Sequence, residues 1–327
     1  MSDTEATPNP VARSWDTYWQ GAEGRAAYSA GGTGHPLILD FWKTYFSGTS
    51  ARFNTPSIID IASGNGALVE HVGRAFATAP AEITCLDISA AAIAVLENRF
   101  PGVRGMVADA RNIPVKSASF DMAVSQFGLE YAGLDAIGEL ARIVAADGEI
   151  ALLLHYRDGA VHQQCAQSLQ AVSMLGRARF FPRAIRMFEA GFAAVRGADR
   201  REYDAAAQAM IPTLREMETI MTTYGRHVAD DTVSRLYTDI RAMHQRMQYY
   251  EPSDVLNWLV AMEVEVDAYE GRMQSMCDAA VDFAGFDSLC GALQGAGFSI
   301  VRREPLVDLS SGAPLAWALV ATNGQSG

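Results

Sequence analysis

Apolar residues recur along this chain in two rhythms. Predominantly apolar runs occupy 57–61, 82–86, 105–108, 119–127 and 149–155, each bounded by glycine, acidic or other polar positions. Runs of this length read as strands buried on both faces. Helical periodicity lies between them, beginning at 67–72 and again over about 134–144, and a turn at 145–148 precedes the fifth run. Strands alternating with helices at this spacing predict a parallel sheet covered on both sides. A last helix over 286–295 stops at Gly295 and Gly297. Two further strands follow over 299–308 and 315–322, joined by the turn at 310–314.

Between the fifth strand and that last helix the rhythm is purely helical. Leu214, Met217, Met221, Tyr224 and Val228 recur at spacings of three and four. So do Leu236, Ile240, Met243, Met247 and Tyr250, and again Val255, Leu259, Met262, Val266, Tyr269 and Met273, with Ser253 as an expected N-cap. Each stripe requires a partner surface, so the helices of 158–285 are expected to pack on one another. Its Met and Tyr faces serve either as core or as the lining of an apolar acceptor pocket, and Met suits irregular ligands. A further helix over 37–46 follows an aromatic stretch containing Trp15 and Trp19 and a flexible turn at 31–36.

The first strand runs into Asp60, Ala62, Ser63, Gly64, Asn65 and Gly66. A strand, a glycine turn and a helix start place backbone N–H groups and a positive dipole end beside an approaching ligand. The second strand closes on Asp87, where a carboxylate can take both hydroxyls of a ribose. The third closes on Asp109, placed to accept from an adenine amino group.

These residues together resemble the class I S-adenosylmethionine-dependent methyltransferases. The resemblance covers about residues 55–157 and resumes near 286–322. Asp60, Ala62, Ser63, Gly64, Asn65 and Gly66 match that family's glycine motif, and Ser119, Phe120 and Asp121 the entry to its fourth strand. Ala62 stands where glycine is commonest, and Asp147 and Gly148 replace a frequent Pro-Gly-Gly. The resemblance implies an α/β fold with a Rossmann-like seven-stranded sheet, mostly parallel, whose last strand is antiparallel. It implies S-adenosylmethionine as cofactor, held by Asp60, Ala62, Gly64, Gly66, Asp87, Ile88, Asp109, Ala110 and Gln126. The chain then divides into an N-terminal lid (1–50), a methyltransferase domain (51–157 with 286–327) and an inserted helical cap (158–285).

Composition narrows the acceptor. A net charge of −12 opposes a phosphate backbone and argues against methylation of nucleic acid. No run reaches the roughly 18 apolar residues of a membrane span. The polar start at 1–10 carries no apolar signal region, so a cytoplasmic protein is expected. Cys85, Cys165, Cys277 and Cys290 have no metal-ligand or disulfide spacing. No metal is expected, and the acceptor is expected to be a small organic molecule.

Ligands of open α/β sheets bind beyond the carboxyl ends of the strands. His155, at the end of the fifth strand, is the candidate general base. Glu130 and Tyr131 are candidates to orient an acceptor amine or hydroxyl. Trp19, Phe127, Tyr156 and Arg157 complete the expected acceptor side. His155 can instead serve only in hydrogen bonding at the sheet end, and Trp19 can simply anchor its segment. Arg177, Arg179, Arg183, Arg186, Arg196, Arg200 and Arg201 form either a solvated helix face or a clamp for a substrate anion. The chain lacks an Asn/Asp-Pro-Pro-Tyr/Phe signature after the fourth strand, which disfavours adenine or amide methylation. Two other classes stand beside the methyltransferase. One is a non-catalytic cofactor-binding sensor or partner subunit. The other is an NAD-type oxidoreductase, opposed by Val69 where a third glycine would stand. The cap's Met-rich faces also suit a homodimer contact.

Overall fold

A computed structural model describes residues 15, 16, 19, 34–78, 80–133 and 135–324. The chain divides into two compact units, 1–163 with 275–327 and 164–274.

The first unit is built on a seven-stranded sheet. In chain order its elements begin with α1 (Pro36–Ser50), β1 (Ser57–Ile61), α2 (Val69–Ala75), β2 (Glu82–Asp87), α3 (Ala90–Arg99), β3 (Arg104–Val107) and β4 (Phe120–Gln126). A 3₁₀ turn (Leu129–Ala132), α4 (Asp135–Ile143) and β5 (Val144–His155) follow. The helices α5 (Ala160–Arg177), α6 (Phe180–Val195), α7 (Arg200–Tyr224), α8 (Thr232–Gln245) and α9 (Pro252–Ala279) lead to α10 (Phe283–Gly295), β6 (Ser299–Val307) and β7 (Pro314–Thr322). The strand order is β3-β2-β1-β4-β5-β7-β6. The five strands β1 to β5 pair in parallel, and β7 runs antiparallel between β5 and β6. The expected fold class is therefore the observed one.

The apolar runs became strands because both faces are covered. Ile59, Ile61, Ala123, Ile150, Leu152 and Leu154 face one layer with Ile137, Leu140, Phe286 and Leu293. Ile58, Met122, Val124, Ala151 and Leu153 face the other, where α1 contributes Ile38, Phe41, Trp42, Tyr45 and Phe46 at helical spacing. Pro36 suits the first turn of that helix, and His35 Nδ1 accepts from the Leu37 N–H at 3.3 Å. At the sheet's amino end Arg52 pairs with buried Glu149 at 2.5 Å, fixing the end of α1 to β5.

Two boundaries differ from those read in the sequence. The expected turn at 145–148 lies within a longer β5. Its pairing skips from Phe120↔Val144 to Met122↔Glu149, and Asp147 takes φ 64°. The irregular stretch stays attached because the Asp147 N–H donates to Asn323 O and the Asn323 N–H to Gly148 O. Ser253 is no N-cap, since Pro252 already occupies the first helical turn, a position proline favours. Residue 134, expected to open a helix, lies outside the described residues, as do 17, 18, 20 and 31–33 of the N-terminal stretch.

The second unit has its own core. Val172, Leu175, Phe180, Phe188, Met210, Met217, Ile220, Leu236, Ile240 and Leu259 are buried together. Met221, Met243, Met262 and Tyr269 pack partly buried against them. Among the described residues no helix is long and apolar enough to cross a membrane.

Candidate functional site

The glycine turn after β1 supplies the first half of the site. Gly64 has φ 52° and Gly66 φ 83°, a region that side chains with a Cβ rarely adopt. A Cβ on Gly64 would stand 2.7 Å from Trp19 Cζ2, so the turn also tolerates no added bulk. The Gly64 N–H donates to Asp87 Oδ2 at 2.9 Å, and the Ser89 N–H to Oδ1 at 2.9 Å. Asp87 is thereby fixed at the tip of β2 with both oxygens oriented. Ile88 beside it is 36% exposed, and an apolar side chain left in the open at this point suits the face of an aromatic ring.

Asp60 lies on β1 beneath this turn and is 3% exposed. Its Oδ2 is buried with no hydrogen-bond partner among the described residues. Burial pushes the Asp60 carboxyl well above the usual carboxylate range, and the Asp87 charge adds to the effect. Asp87 is also raised, first by burial and against the lowering influence of its backbone N–H donors. Two neighbouring buried carboxylates, one of them with an unmet acceptor, make a site that favours a cationic ligand.

Asp109 stands just beyond β3. Both its oxygens meet Arg111, with Nη2 at 2.6 Å from Oδ2 and Nε at 3.1 Å from each, and this pairing holds its carboxyl below the usual range. A carboxylate retains lone pairs beyond those bonds, so an adenine amino group would share Asp109 with Arg111. Ala110 is buried against the sheet's α4 and α10 layer. Gln126 is occupied differently from expectation: its Oε1 accepts from Trp42 Nε1 at 2.5 Å, tying the end of β4 to α1. Ala62, with φ 53°, abuts the backbone of Gly128, which leaves Gly128 no room for a Cβ.

The ends of β4 and β5 form the second half. His155 is fully buried, and its Nδ1 lies 2.7 Å from Glu130 Oε1. The same oxygen accepts the His155 backbone N–H at 2.8 Å. An ionised carboxylate accepts only, so this contact puts the imidazole proton on Nδ1 and leaves Nε2 as the basic nitrogen. Phe127 stacks on the ring at 4.4 Å, and Tyr131 meets it edge-on at 6.0 Å. Trp15 in turn meets Tyr131 edge-on at 5.7 Å. Glu130 was expected to orient an acceptor; the structure sets it to orient His155.

The remaining expected residues separate. Tyr156 stacks on Trp317 at 4.3 Å, and Phe286 covers that indole at 4.4 Å, so Tyr156 does not join the histidine cluster. Arg157 lies past it, with Nη2 3.4 Å from Asp278 O. Trp19 packs on the glycine turn rather than beside His155. In the second unit Arg200 pairs with Asp204, Arg201 with Asp199, and Arg183 donates to Thr213 Oγ1.

Two supporting residues escaped the sequence reading. Ser125 Oγ donates to Ile61 O at 2.8 Å and accepts the Leu129 N–H at 3.1 Å, joining the ends of β1 and β4 to the 3₁₀ turn. A serine inside an apolar strand was the available signal. Asp16 Oδ1 accepts from Ser89 Oγ at 2.5 Å, at the start of α3. That long-range contact leaves no trace in local sequence.

Residues 58–148 match the model of a methyltransferase domain family. An uncharacterized methyltransferase of Schizosaccharomyces pombe is 31% identical over 119 residues, covering 36% of this chain and 46% of the relative. The chain thus spans about half the length of that curated relative. Among solved structures, an S-adenosylmethionine-dependent methyltransferase from Aquifex aeolicus matches with TM-score 0.32 and 13% identity, over 38% of this chain and 69% of the other. An amino pentose methyltransferase from Micromonospora echinaspora, solved with S-adenosylmethionine bound, matches with TM-score 0.29 and 22% identity, over 35% and 51%.

Proposed function

We propose that this chain, which carries a class I S-adenosylmethionine-dependent methyltransferase domain, transfers a methyl group to a small organic acceptor at the ends of β4 and β5. The observation that supports it best is the pairing of two half-sites on one sheet. Asp87 is held by backbone N–H groups beside the glycine turn, and a carboxylate-oriented imidazole lies at the end of β5.

S-adenosylmethionine, when bound, supplies an electrophilic methyl group on a positively charged sulfur. Asp87 would receive the ribose hydroxyls, Ile88 would cover the adenine, and Asp109 would accept from its amino group. The buried carboxylates of Asp60 and Asp87 favour positive charge nearby. Transfer needs donor and acceptor held close, in line and away from water. Phe127 and Tyr131 supply apolar walls around His155. Where the acceptor carries a proton, His155 Nε2 takes it, while Glu130 Oε1 holds the ring in the required tautomer and stabilises the imidazolium.

The net charge of −12 supports a small molecule over nucleic acid. A cytoplasmic setting fits the four free cysteines.

The test is a screen with methyl-labelled S-adenosylmethionine against amines, phenols, carboxylates and thiols, beside RNA and protein pools. Labelled small molecules are the expected product. Turnover on RNA or protein with none on any small molecule overturns the reading.

A further inference from the structure

The second unit carries a cavity of its own, of about 340 Å³. Asp239 and Met243 line it from α8, Asp254, Val255 and Trp258 from α9, and Tyr250 from the segment between those helices. Every lining residue belongs to the 164–274 unit. Helical spacing groups them. Asp239 stands one turn before Met243, and Asp254 one turn before Trp258, so each pair shares a helix face. Side chains on a helix lean towards its amino end, which brings Met243 and Trp258 back over the turns that carry the two carboxylates.

Both aspartates are exposed and therefore open to a ligand from solvent. Among the described residues neither carboxylate forms an ion pair or a side-chain hydrogen bond, and Asp239 makes none with Arg235 one turn before it. No arginine or lysine among the described residues lines the cavity. Arg241 acts instead on the Tyr237 hydroxyl, which donates to Glu218 Oε1 at 2.6 Å. Tyr250 is 39% exposed, while Met243 and Trp258 are only partly covered by the unit's core. Two uncompensated carboxylates thus share a cavity with open aromatic and thioether surface. A metal ion would use the carboxylates alone, and among the described residues no group of three or more metal-ligand side chains gathers anywhere. A neutral apolar molecule would use only the rings. A quaternary ammonium ion uses both: its charge offsets the carboxylates, aromatic faces attract it, and it requires no hydrogen-bond acceptor from apolar walls.

We propose that this cavity binds a small quaternary ammonium ion, its charge offset by Asp239 and Asp254 and its alkyl groups against Tyr250, Trp258 and Met243. The site shares no residue with the glycine turn or with the cluster around His155.

The claim is tested by binding and does not depend on methyl transfer. The full chain is titrated with tetramethylammonium, followed by calorimetry and ligand-observed NMR, with excess S-adenosylhomocysteine present so that the acids beside the glycine turn are occupied. Saturable binding is expected, about fivefold tighter than that of tert-butanol, which is neutral and similar in shape, or of methylammonium, which is charged but strongly hydrated. The double variant Asp239→Asn with Asp254→Asn alters only exposed groups and should weaken binding about fivefold. Trp258→Leu and Tyr250→Ser should each weaken it about threefold and narrow the preference over methylammonium. Circular dichroism checks the fold of each variant, and exposed Tyr250 carries the aromatic arm should Trp258→Leu unfold. No saturable binding, binding unchanged in the aspartate variant, or equal binding of tert-butanol or methylammonium would overturn the proposal, and none of these bears on the methyltransferase reading.

Discussion

The two halves of the site are built by different means. The half proposed to hold the cofactor is local: the Gly64 and Ser89 N–H groups both donate to Asp87, so the glycine turn and the end of β2 are linked through backbone donors. The half proposed to hold the acceptor is topological. Glu130 and His155 meet because β4 and β5 are adjacent parallel strands whose carboxyl ends stand side by side. The lesson is that a turn shaped by backbone geometry can be read from a motif, while a pair of side chains brought together from the turn after one strand and the end of another requires the sheet order first.

That contrast makes the halves separable by mutation. The largest expected effect is on turnover. His155→Ala should slow methyl transfer to a proton-bearing acceptor by about 100- to 10,000-fold, the usual contribution of a positioned general base. Single-turnover rates with saturating cofactor check it, and an unchanged rate would remove His155 from the chemistry.

Asp87→Asn comes next. Losing a charged acceptor of two ribose hydroxyls should weaken S-adenosylhomocysteine binding by about 100-fold, corresponding to about 3 kcal/mol. Calorimetry measures this, and retention of wild-type affinity would dissociate Asp87 from the ribose.

The dependence of cofactor binding on pH should be gentler. Asp60 and Asp87 hold their protons to higher pH than ordinary carboxyls because they are buried. A cationic cofactor favours their ionised forms, so below the raised pKa values binding must expel a proton. Affinity for S-adenosylmethionine should therefore rise with pH, by at most about tenfold per unit for each proton released, and then level off. Affinity that falls as pH rises would reverse the sign and contradict the arrangement.

The smallest effect on the site should come from its framework. Arg52→Ala leaves the buried Glu149 without its cation at the far end of the sheet. Half of the arginine is exposed, which limits the loss to about 1–2 kcal/mol of unfolding free energy. Denaturant titration should detect it while cofactor affinity stays at the wild-type value.

The sequence made the sheet legible because strands buried on both faces are continuous apolar runs. The positions of Asp87 and Asp109 at strand ends were legible because acids stand out at the close of such runs. The bond from Trp42 to Gln126 was not legible, since it spans 84 positions and follows from how α1 packs. The stacking of Tyr156 on Trp317 was not legible because Trp317 enters only through β7, paired antiparallel to β5. The contact of Glu130 with His155 needed the order of β4 and β5 before it could be seen. The helical stripes of the second unit were visible by period, but α5 and α6, which bury Val172, Leu175, Phe180 and Phe188 against them, were not distinguished in advance.

The most direct test is calorimetric titration of S-adenosylhomocysteine into Asp87→Asn and His155→Ala side by side with the wild type. Separate half-sites predict binding weakened about 100-fold in the first and unchanged in the second. Equal losses in both, or loss only in His155→Ala, would contradict the division between a cofactor half and an acceptor half.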